Sequence, residues 1–150
     1  MTVIDPKTAR VVREAIYDAI VNRGVAPTPA DVATAHRLSP VMTKGAFRSL
    51  ADEHIIILRP NTLEIWAAPP FAAMPSRFLV RARQKTWFGT CGWDAFGILA
   101  ALGAEGTVEA QCGASGEPMS CGVRNGRTFG DAVLHLLVPA ARFWDDIIYT

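Results

Sequence analysis

Apolar residues recur at helical spacing in three stretches of the first fifty residues. Each stretch is preceded by a capping residue and a proline, namely Asp5-Pro6, Thr28-Pro29 and Ser39-Pro40. The pattern therefore predicts three helices, of which Gly24 ends the first while the third runs to about Glu53. Their apolar positions are Val12, Ile16, Ala19, Ile20 and Val21 in the first helix, Val32 and Ala35 in the second, and Val41, Ala46, Phe47 and Leu50 in the third.

Two short β-like stretches, residues 55–58 and 63–66, follow these helices and are separated by turn-forming residues 59–62. Three helices followed by a strand pair is the order of a winged helix, so residues 1–68 are interpreted as a winged-helix-like domain. DNA is a weakly supported partner, because the third helix offers few contacts to phosphates or bases, and the alternative is a packing module for the rest of the chain. The positions that this helix is expected to expose are Thr43, Lys44, Arg48 and Ser49.

A proline-rich connector, residues 69–76, leads into the second half of the chain, residues 77–150. Alternation from Phe78 to Ala82 and a restart at Trp87 predict a hairpin, whose solvated cations are Arg81, Arg83 and Lys85. The predicted fold class is α+β, with the three-helix domain followed by a small antiparallel sheet domain that has one central helix. Further strands are expected at residues 107–111, 119–123 and 132–138, with a hairpin turn at Asn125-Gly126, and residues 139–149 are expected to form a helix or an extended tail.

The central helix is predicted to begin near Cys91 and to end at Gly103. A cysteine at a helix N-terminus lies beside unpaired N–H groups, which favour its thiolate, and Asp94 follows three residues later on the same face. This pair could bind a soft metal and move a proton. The alternative is an ordinary helix start, with Thr90 as N-cap and Asp94 as an acidic first-turn residue, and the spacing alone favours this alternative because helix caps are far commoner than active sites.

The remaining cysteines, Cys112 and Cys121, flank residues 113–118 and could face each other across two antiparallel strands. The Cys-x-x-Cys pairs of a zinc site are missing from the sequence, so we expect both to be buried structural cysteines. The three histidines are expected to be packed or hydrogen-bonded rather than ligands, with His135 on a core strand. They are His36, His54 and His135.

Composition narrows the classes of partner. A net charge of +1 gives no general attraction to nucleic acid or to an anionic membrane. The longest apolar run is too short to cross a bilayer, so no membrane partner is expected. Three cysteines, behind a start that does not resemble a secretory leader, predict reduced thiols in a cytoplasm. No cofactor is expected.

Several segments together resemble the alkylmercury lyase (organomercurial lyase) family, and the resemblance covers nearly the whole chain. The most specific are C-G-W-D at residues 91–94 and C-G-A-S-G at residues 112–116. The segments are W-F-G-T-C-G-W-D-A-F-G-I-L-A-A-L-G (87–103), Q-C-G-A-S-G-E-P-M-S (111–120) and H-L-L-V-P-A-A-R-F-W-D-D-I-I-Y-T (135–150).

The resemblance implies protonolysis of carbon–mercury bonds, with Cys91 as first catalytic cysteine and mercury ligand, and Asp94 as the aspartate that handles the proton. It implies a structural role for Cys112. Mercury(II) is soft and prefers sulfur, and a carboxyl group that is partly desolvated beside a thiolate has a raised pKa. The expected partners are a small organomercurial or mercury ion and small thiols.

The family's second catalytic cysteine is expected directly after a segment like residues 144–150, where the given sequence ends. Cys121 does not occupy the matching place. From the resemblance we therefore expect a member of this family that is incomplete at its C-terminus. The sequence does not decide whether it cleaves organomercurials. The alternative is a thiol-based metal-binding or DNA-binding regulatory protein without lyase activity.

Overall fold

The computed structural model describes residues 4–148 and begins with the three predicted helices, α1 (Pro6–Arg23), α2 (Pro29–His36) and α3 (Pro40–Asp52). The predicted caps are confirmed for α1 and α2. The Asp5 carboxylate accepts the N–H groups of Lys7 and Thr8 at 3.0 and 3.1 Å, and Thr28 forms a capping box with Asp31. No helix in the described part of the chain combines the length and the apolar composition that crossing a bilayer requires.

The buried face of α3 differs from the expected one at its start. Thr43 was expected to be exposed but is fully buried, with its hydroxyl donating to the Ser39 carbonyl at 3.0 Å, whereas Val41 is 69% exposed. The reason is the helical period, because Thr43 completes the i, i+3, i+4, i+7 stripe of the core positions Ala46, Phe47 and Leu50. Lys44 and Arg48 are exposed, and Ser49 is partly exposed.

Within residues 4–148, eight strands form one antiparallel sheet in the order β1-β2-β3-β5-β4-β6-β7-β8, which confirms the α+β class. A fourth helix, α4 (Gly92–Leu102), connects β5 to β6, and a short 3₁₀ helix (Ala140–Asp145) follows the last strand. The strands are β1 (Ile57–Leu58), β2 (Ile65–Ala68), β3 (Phe71–Ala72), β4 (Phe78–Ala82), β5 (Lys85–Gly89), β6 (Gly106–Gln111), β7 (Pro118–Arg124) and β8 (Arg127–Phe129).

The predicted hairpins are present. Ala82 faces Lys85 across the β4–β5 turn, and Arg124 faces Arg127 across Asn125-Gly126. The connector, residues 69–76, also contributes to the sheet, because β3 lies within it and pairs with both β2 and β5. The winged-helix interpretation and the domain boundaries at residues 68 and 76 stay predictions.

The prediction of a strand at residues 132–138 is wrong. This stretch has no regular secondary structure, Val133 is 92% exposed and His135 is exposed. The sheet ends at β8, so these residues have no strand to pair with, and Leu134 packs on the first turn of α4 instead. Alternation of apolar residues does not make a strand without a hydrogen-bonding partner. Of the expected C-terminal helix or tail, residues 140–145 are a 3₁₀ helix and Tyr149 lies outside the described residues.

The core is continuous from the N-terminal helices to the strand that leads into the candidate site. The indole N–H of Trp87 in β5 donates to the Ile20 carbonyl at 3.2 Å, and Lys85 Nζ donates to the Asn22 carbonyl at 3.1 Å. Both acceptors belong to the last turns of α1. The Ile20 carbonyl also accepts the Gly24 N–H at 2.9 Å, and the negative end of the helix dipole favours the Lys85 cation. The position of β5 is therefore fixed from α1.

Gly89 should not tolerate a side chain. A Cβ at Gly89 would lie 2.7 Å from the backbone nitrogen of Ala95, a contact that only movement of α4 could relieve. We expect Gly89→Ala to lower the free energy of unfolding by about 1–3 kcal/mol, as overpacking does in other cores. The matched control is Gly113→Ala, whose Cβ meets nothing within 4 Å. Urea denaturation of the two variants measures the difference, and equal midpoints would contradict the close approach of α4 to β5.

Candidate functional site

Cys91 is the N-cap of α4, in extended backbone conformation, so the predicted helix start is confirmed to one residue. Its Sγ accepts a hydrogen bond from the backbone N–H of Asp94 at 3.4 Å. The expectation that Thr90 caps the helix is therefore wrong, because the sulfur occupies the place of the capping oxygen. The sulfur and the carboxyl group of Asp94 lie within one helical turn, as the sequence predicted.

Asp94 is half-buried, and its carboxyl group is hydrogen-bonded to Thr90, the residue directly before Cys91. The Thr90 hydroxyl donates to Oδ2 of Asp94. Burial raises the pKa of the Asp94 carboxyl above its ordinary value, and the hydrogen bond from Thr90 only partly opposes this. The carboxyl therefore holds a proton to higher pH than an ordinary aspartate does. The sequence predicted Thr90 only as a helix cap and not as the hydrogen-bond donor to the Asp94 carboxyl. The i, i+4 spacing of Thr90 and Asp94, which places two side chains on one helical face, could have indicated this contact.

The thiol of Cys91 does not have the lowered pKa that its helical position predicts. Burial raises its pKa, and the neighbouring charge of Asp94 acts in the same direction. Hydrogen bonds from the N–H groups of Asp94 and Trp93 and from Thr90 lower the pKa by less. Desolvation thus outweighs the helix terminus, and the resting sulfur is a thiol.

Two segments that are distant in sequence interact with the start of α4, one electrostatically and one by packing. Tyr17 of α1 donates its hydroxyl proton to the Pro69 carbonyl at 2.9 Å, and burial raises its pKa, a shift to which the charge of Asp94 adds and which Arg13 opposes. From the other side, a Cβ at Gly92 would lie 2.6 Å from Leu134, so the C-terminal segment packs on this turn. Local sequence signals could not have identified Tyr17 or Leu134.

An open cleft of about 620 Å³ runs along α1 beside Tyr17. The charges that line it are of both signs, and its residues are Arg10, Arg13, Glu14, Tyr17 and Asp18. Among the residues that line it, Tyr17 is the one whose pKa is raised by the charge of Asp94.

The other two cysteines do not face each other, contrary to expectation. Cys121 is opposite Val108 in the β6–β7 register and is 8% exposed, so its predicted burial is confirmed. Cys112 lies one residue beyond β6, in the connecting loop, where its N–H donates to the Glu117 carbonyl at 2.9 Å. It is partly exposed, so the prediction that Cys112 is buried is wrong.

Cys112 has the most acidic thiol of the three. Hydrogen bonds from the Ser115 hydroxyl and from the N–H groups of Ser115 and Ala114 lower its pKa from 9.0 to about 7. The Ser115 hydroxyl also lies 3.1 Å from a carboxylate oxygen of Glu117, and its single proton serves one acceptor at a time. The two backbone N–H groups are therefore the fixed part of this stabilisation.

Iodoacetamide should alkylate Cys112 first at pH 7. About half of a thiol with a pKa near 7 is ionised at this pH, compared with about 1% at the ordinary value of 9.0. The raised pKa of Cys91 slows its reaction, and burial protects Cys121. Peptide mass spectrometry over a pH series should show the rate at Cys112 levelling off above pH 7 while the rate at Cys91 continues to rise. Equal rates at Cys91 and Cys112 would contradict the two environments.

All three histidines are exposed. His54 stacks on Trp144 with ring centroids 3.9 Å apart, which agrees with a packed histidine. His36 and His135 are exposed, so the expectation that they pack is wrong. Within residues 4–148, no group of three or more His, Cys, Asp or Glu side chains is arranged to hold a metal ion.

Comparison of the chain with known proteins identifies its family. The family model described as alkylmercury lyase matches residues 71–150, more than half of the chain and including Cys91 and Asp94. The crystal structure of the mercury-bound form of MerB2 superposes with a TM-score of 0.64 at 19% sequence identity, covering 84% of this chain and 60% of that one. This chain thus spans about three fifths of the length of MerB2, and at this identity the likeness shows the fold alone. No curated protein matches the chain. The chain belongs to the alkylmercury lyase family.

Proposed function

We propose that this chain captures organomercurials at Cys91 and breaks their carbon–mercury bond with a proton delivered by Asp94. The observation that carries the proposal is the contact between these two residues, in which Cys91 Sγ accepts the Asp94 N–H at 3.4 Å. The contact holds a soft sulfur donor and a carboxyl group with raised pKa in the same half-buried turn. Membership of the alkylmercury lyase family supports the assignment.

In the capture step, the Cys91 thiol displaces the ligand X of an organomercurial R–Hg–X. A sulfur–mercury bond forms, X⁻ leaves, and the thiol releases its proton. Because desolvation keeps Cys91 protonated before capture, the proton becomes available only when the metal arrives. The Asp94 carboxylate is the nearest base, and its raised pKa favours accepting this proton.

In the cleavage step, the electron pair of the carbon–mercury bond takes the proton from the Asp94 carboxyl group. Sulfur donors push electron density through mercury onto the carbon and make it more basic. The hydrocarbon R–H leaves, Asp94 returns to its carboxylate, and mercury(II) stays on Cys91 without a change of oxidation state. A small thiolate supplies a second sulfur donor to mercury. A second small thiol then replaces Cys91 on mercury and gives its proton to the Cys91 sulfur, so mercury(II) leaves with two small thiolates and the proton first lost by Cys91 ends on carbon.

Methane production from methylmercury tests this function. The intact chain is incubated with methylmercury and excess thiol, and methane and inorganic mercury are measured against the thiol alone. We expect both products to form in equal amounts and above this background. Methane at the background rate would exclude lyase activity.

A second candidate function, mercury binding without cleavage, is favoured by the partly exposed Cys112 with its pKa of about 7. In that case the chain would retain methylmercury intact.

If it also regulates genes, the exposed Lys44 and Arg48 of α3 are the contacts available to DNA. A gel shift on fragments from its own gene neighbourhood, with and without mercury, tests this, and binding that does not weaken with salt would argue against it.

A further inference from the structure

We infer that Thr90 is a positioning residue for proton delivery: its hydroxyl occupies Oδ2 of Asp94, so the proton that reaches carbon is carried on Oδ1. This inference rests on the proposed function and deepens it, because it assigns the acid to one oxygen atom. The observation behind it is the hydrogen bond from Thr90 to Oδ2.

The hydroxyl of Thr90 is not needed to cap the helix. A threonine before a helix usually accepts a backbone N–H of the first turn, but here Cys91 Sγ accepts the Asp94 N–H instead. The Thr90 side chain is therefore directed to the carboxyl group. Thr90 and Asp94 flank Cys91 in sequence, so the hydrogen bond holds the carboxyl group on the turn that carries the sulfur.

The neighbouring groups do not duplicate this contact. Tyr17, the group of α1 whose ionisation is influenced by Asp94, gives its hydroxyl proton to backbone carbonyls, including that of Pro69 at 2.9 Å. Cys91 contacts Asp94 through the backbone N–H and not through the carboxyl group. Of the side chains in residues 4–148, Thr90 alone is hydrogen-bonded to the Asp94 carboxyl, so without it this group is free to rotate about χ2.

The position of the proton follows from counting hydrogen-bond partners. A hydroxyl has one proton, and Thr90 donates it to Oδ2 in this structure; its hydrogen bond to the Cys91 sulfur is the smallest of the influences on that thiol. A proton on Oδ2 would reverse the hydrogen bond, with the carboxylic acid donating to the Thr90 oxygen. A proton on Oδ1 keeps the observed direction, in which Thr90 donates to Oδ2. Holding a reacting group in one orientation accelerates a step because a misplaced group must first find the productive geometry.

The first experiment compares Thr90→Val, which keeps the shape and removes the hydroxyl, with Thr90→Ser, which keeps the hydroxyl. With methylmercury and excess thiol, we expect Thr90→Val to lower kcat by about tenfold to a hundredfold with KM unchanged. Thr90→Ser should retain kcat within about threefold. An unchanged kcat in Thr90→Val, or an equal loss in Thr90→Ser, would overturn the inference, and thermal unfolding of both variants excludes misfolding as the cause.

The second experiment does not depend on turnover. ¹³C NMR of protein labelled at aspartate carboxyl groups identifies the Asp94 signal by its loss in Asp94→Asn. At one fixed pH, Thr90→Val should move this signal and Thr90→Ser should leave it in place. A signal that stays in place in Thr90→Val would overturn the inference, whether or not the chain cleaves methylmercury. Absence of methane from the unmodified chain, by contrast, would remove the proposed function and leave the NMR result to decide the hydrogen bond.

Discussion

Replacing Cys91 with serine should reduce methane release from methylmercury to the rate of the thiol background. An alcohol does not replace a thiolate as a ligand for mercury(II), a soft ion, so the capture step is lost. The variant should fold, because serine is a good N-cap and can accept the Asp94 N–H that Cys91 Sγ accepts now. Methane measured by gas chromatography gives the turnover.

The matched control is Cys112→Ser, the same chemical change at the other partly exposed cysteine. We expect it to retain turnover, because Cys112 lies in the β6–β7 loop and not at the start of α4. Mercury titrations should use this background, since the low pKa of Cys112 makes it a competing ligand. If Cys112→Ser lost turnover and Cys91→Ser did not, the reactive cysteine would be Cys112 in the loop and not Cys91.

Replacing Asp94 with asparagine should still allow mercury capture, with the Cys91 proton released to the excess thiol or the solvent, and should slow carbon–mercury cleavage by about 10²–10⁴-fold, the usual contribution of a general acid. The amide keeps the shape and can still accept the Thr90 hydrogen bond, but it has no proton to give. Methylmercury should therefore remain bound to Cys91 without releasing methane. Mass spectrometry of the intact complex detects the bound methylmercury.

A matched control for the helical position is Asp31→Asn. Asp31 is the third residue of α2, as Asp94 is of α4, and both are acidic residues of a first turn. The control should lose some stability, since its carboxylate accepts the Thr28 N–H at 2.8 Å, while retaining turnover. A similar loss of turnover in both variants would indicate a defect in helix capping and not in catalysis.

Asp94→Asn should also be at least as stable as the unmodified protein at neutral pH. Burial raises the folded-state pKa of Asp94, so stability falls as the pH rises from 3.8 through the folded pKa, and the ionised carboxylate is disfavoured above it. Asparagine removes this cost, and the difference should disappear below pH 3.8, where both forms are neutral. Thermal unfolding at several pH values measures it, and a variant less stable at neutral pH would contradict the direction of the shift.

The helix that carries the candidate site could be predicted from the sequence because residues close in sequence determine where a helix begins and ends. Asp5-Pro6 and Thr28-Pro29 define helix starts through capping, and Gly89 and Gly103 delimit the segment that contains α4. The Cys91–Asp94 spacing places the two side chains in one turn whatever packs around them. These features need only residues that are close in sequence.

Long-range packing accounts for what sequence reasoning missed. The pKa of Cys91 follows burial, which depends on neighbours distant in sequence, such as those that place Leu134 against Gly92. Residues 132–138 have strand-like composition, but the sheet already ended at β8. Cys112 is the exception: its pKa is lowered by local hydrogen bonds from the Ser115 hydroxyl and from the N–H groups of Ser115 and Ala114, which depend on the conformation of the loop.

The pairing of the sheet has a consequence for how the protein folds. Of the seven strand pairings in the described part of the chain, five join consecutive strands, and the other two are β3 with β5 and β4 with β6. The β4–β6 pairing closes the long loop that contains α4, and contacts distant in sequence form late. We therefore expect Cys91 to be accessible during synthesis or refolding until this pairing has formed. Mercury arriving at that stage would be trapped by a nascent chain not yet able to protonate carbon.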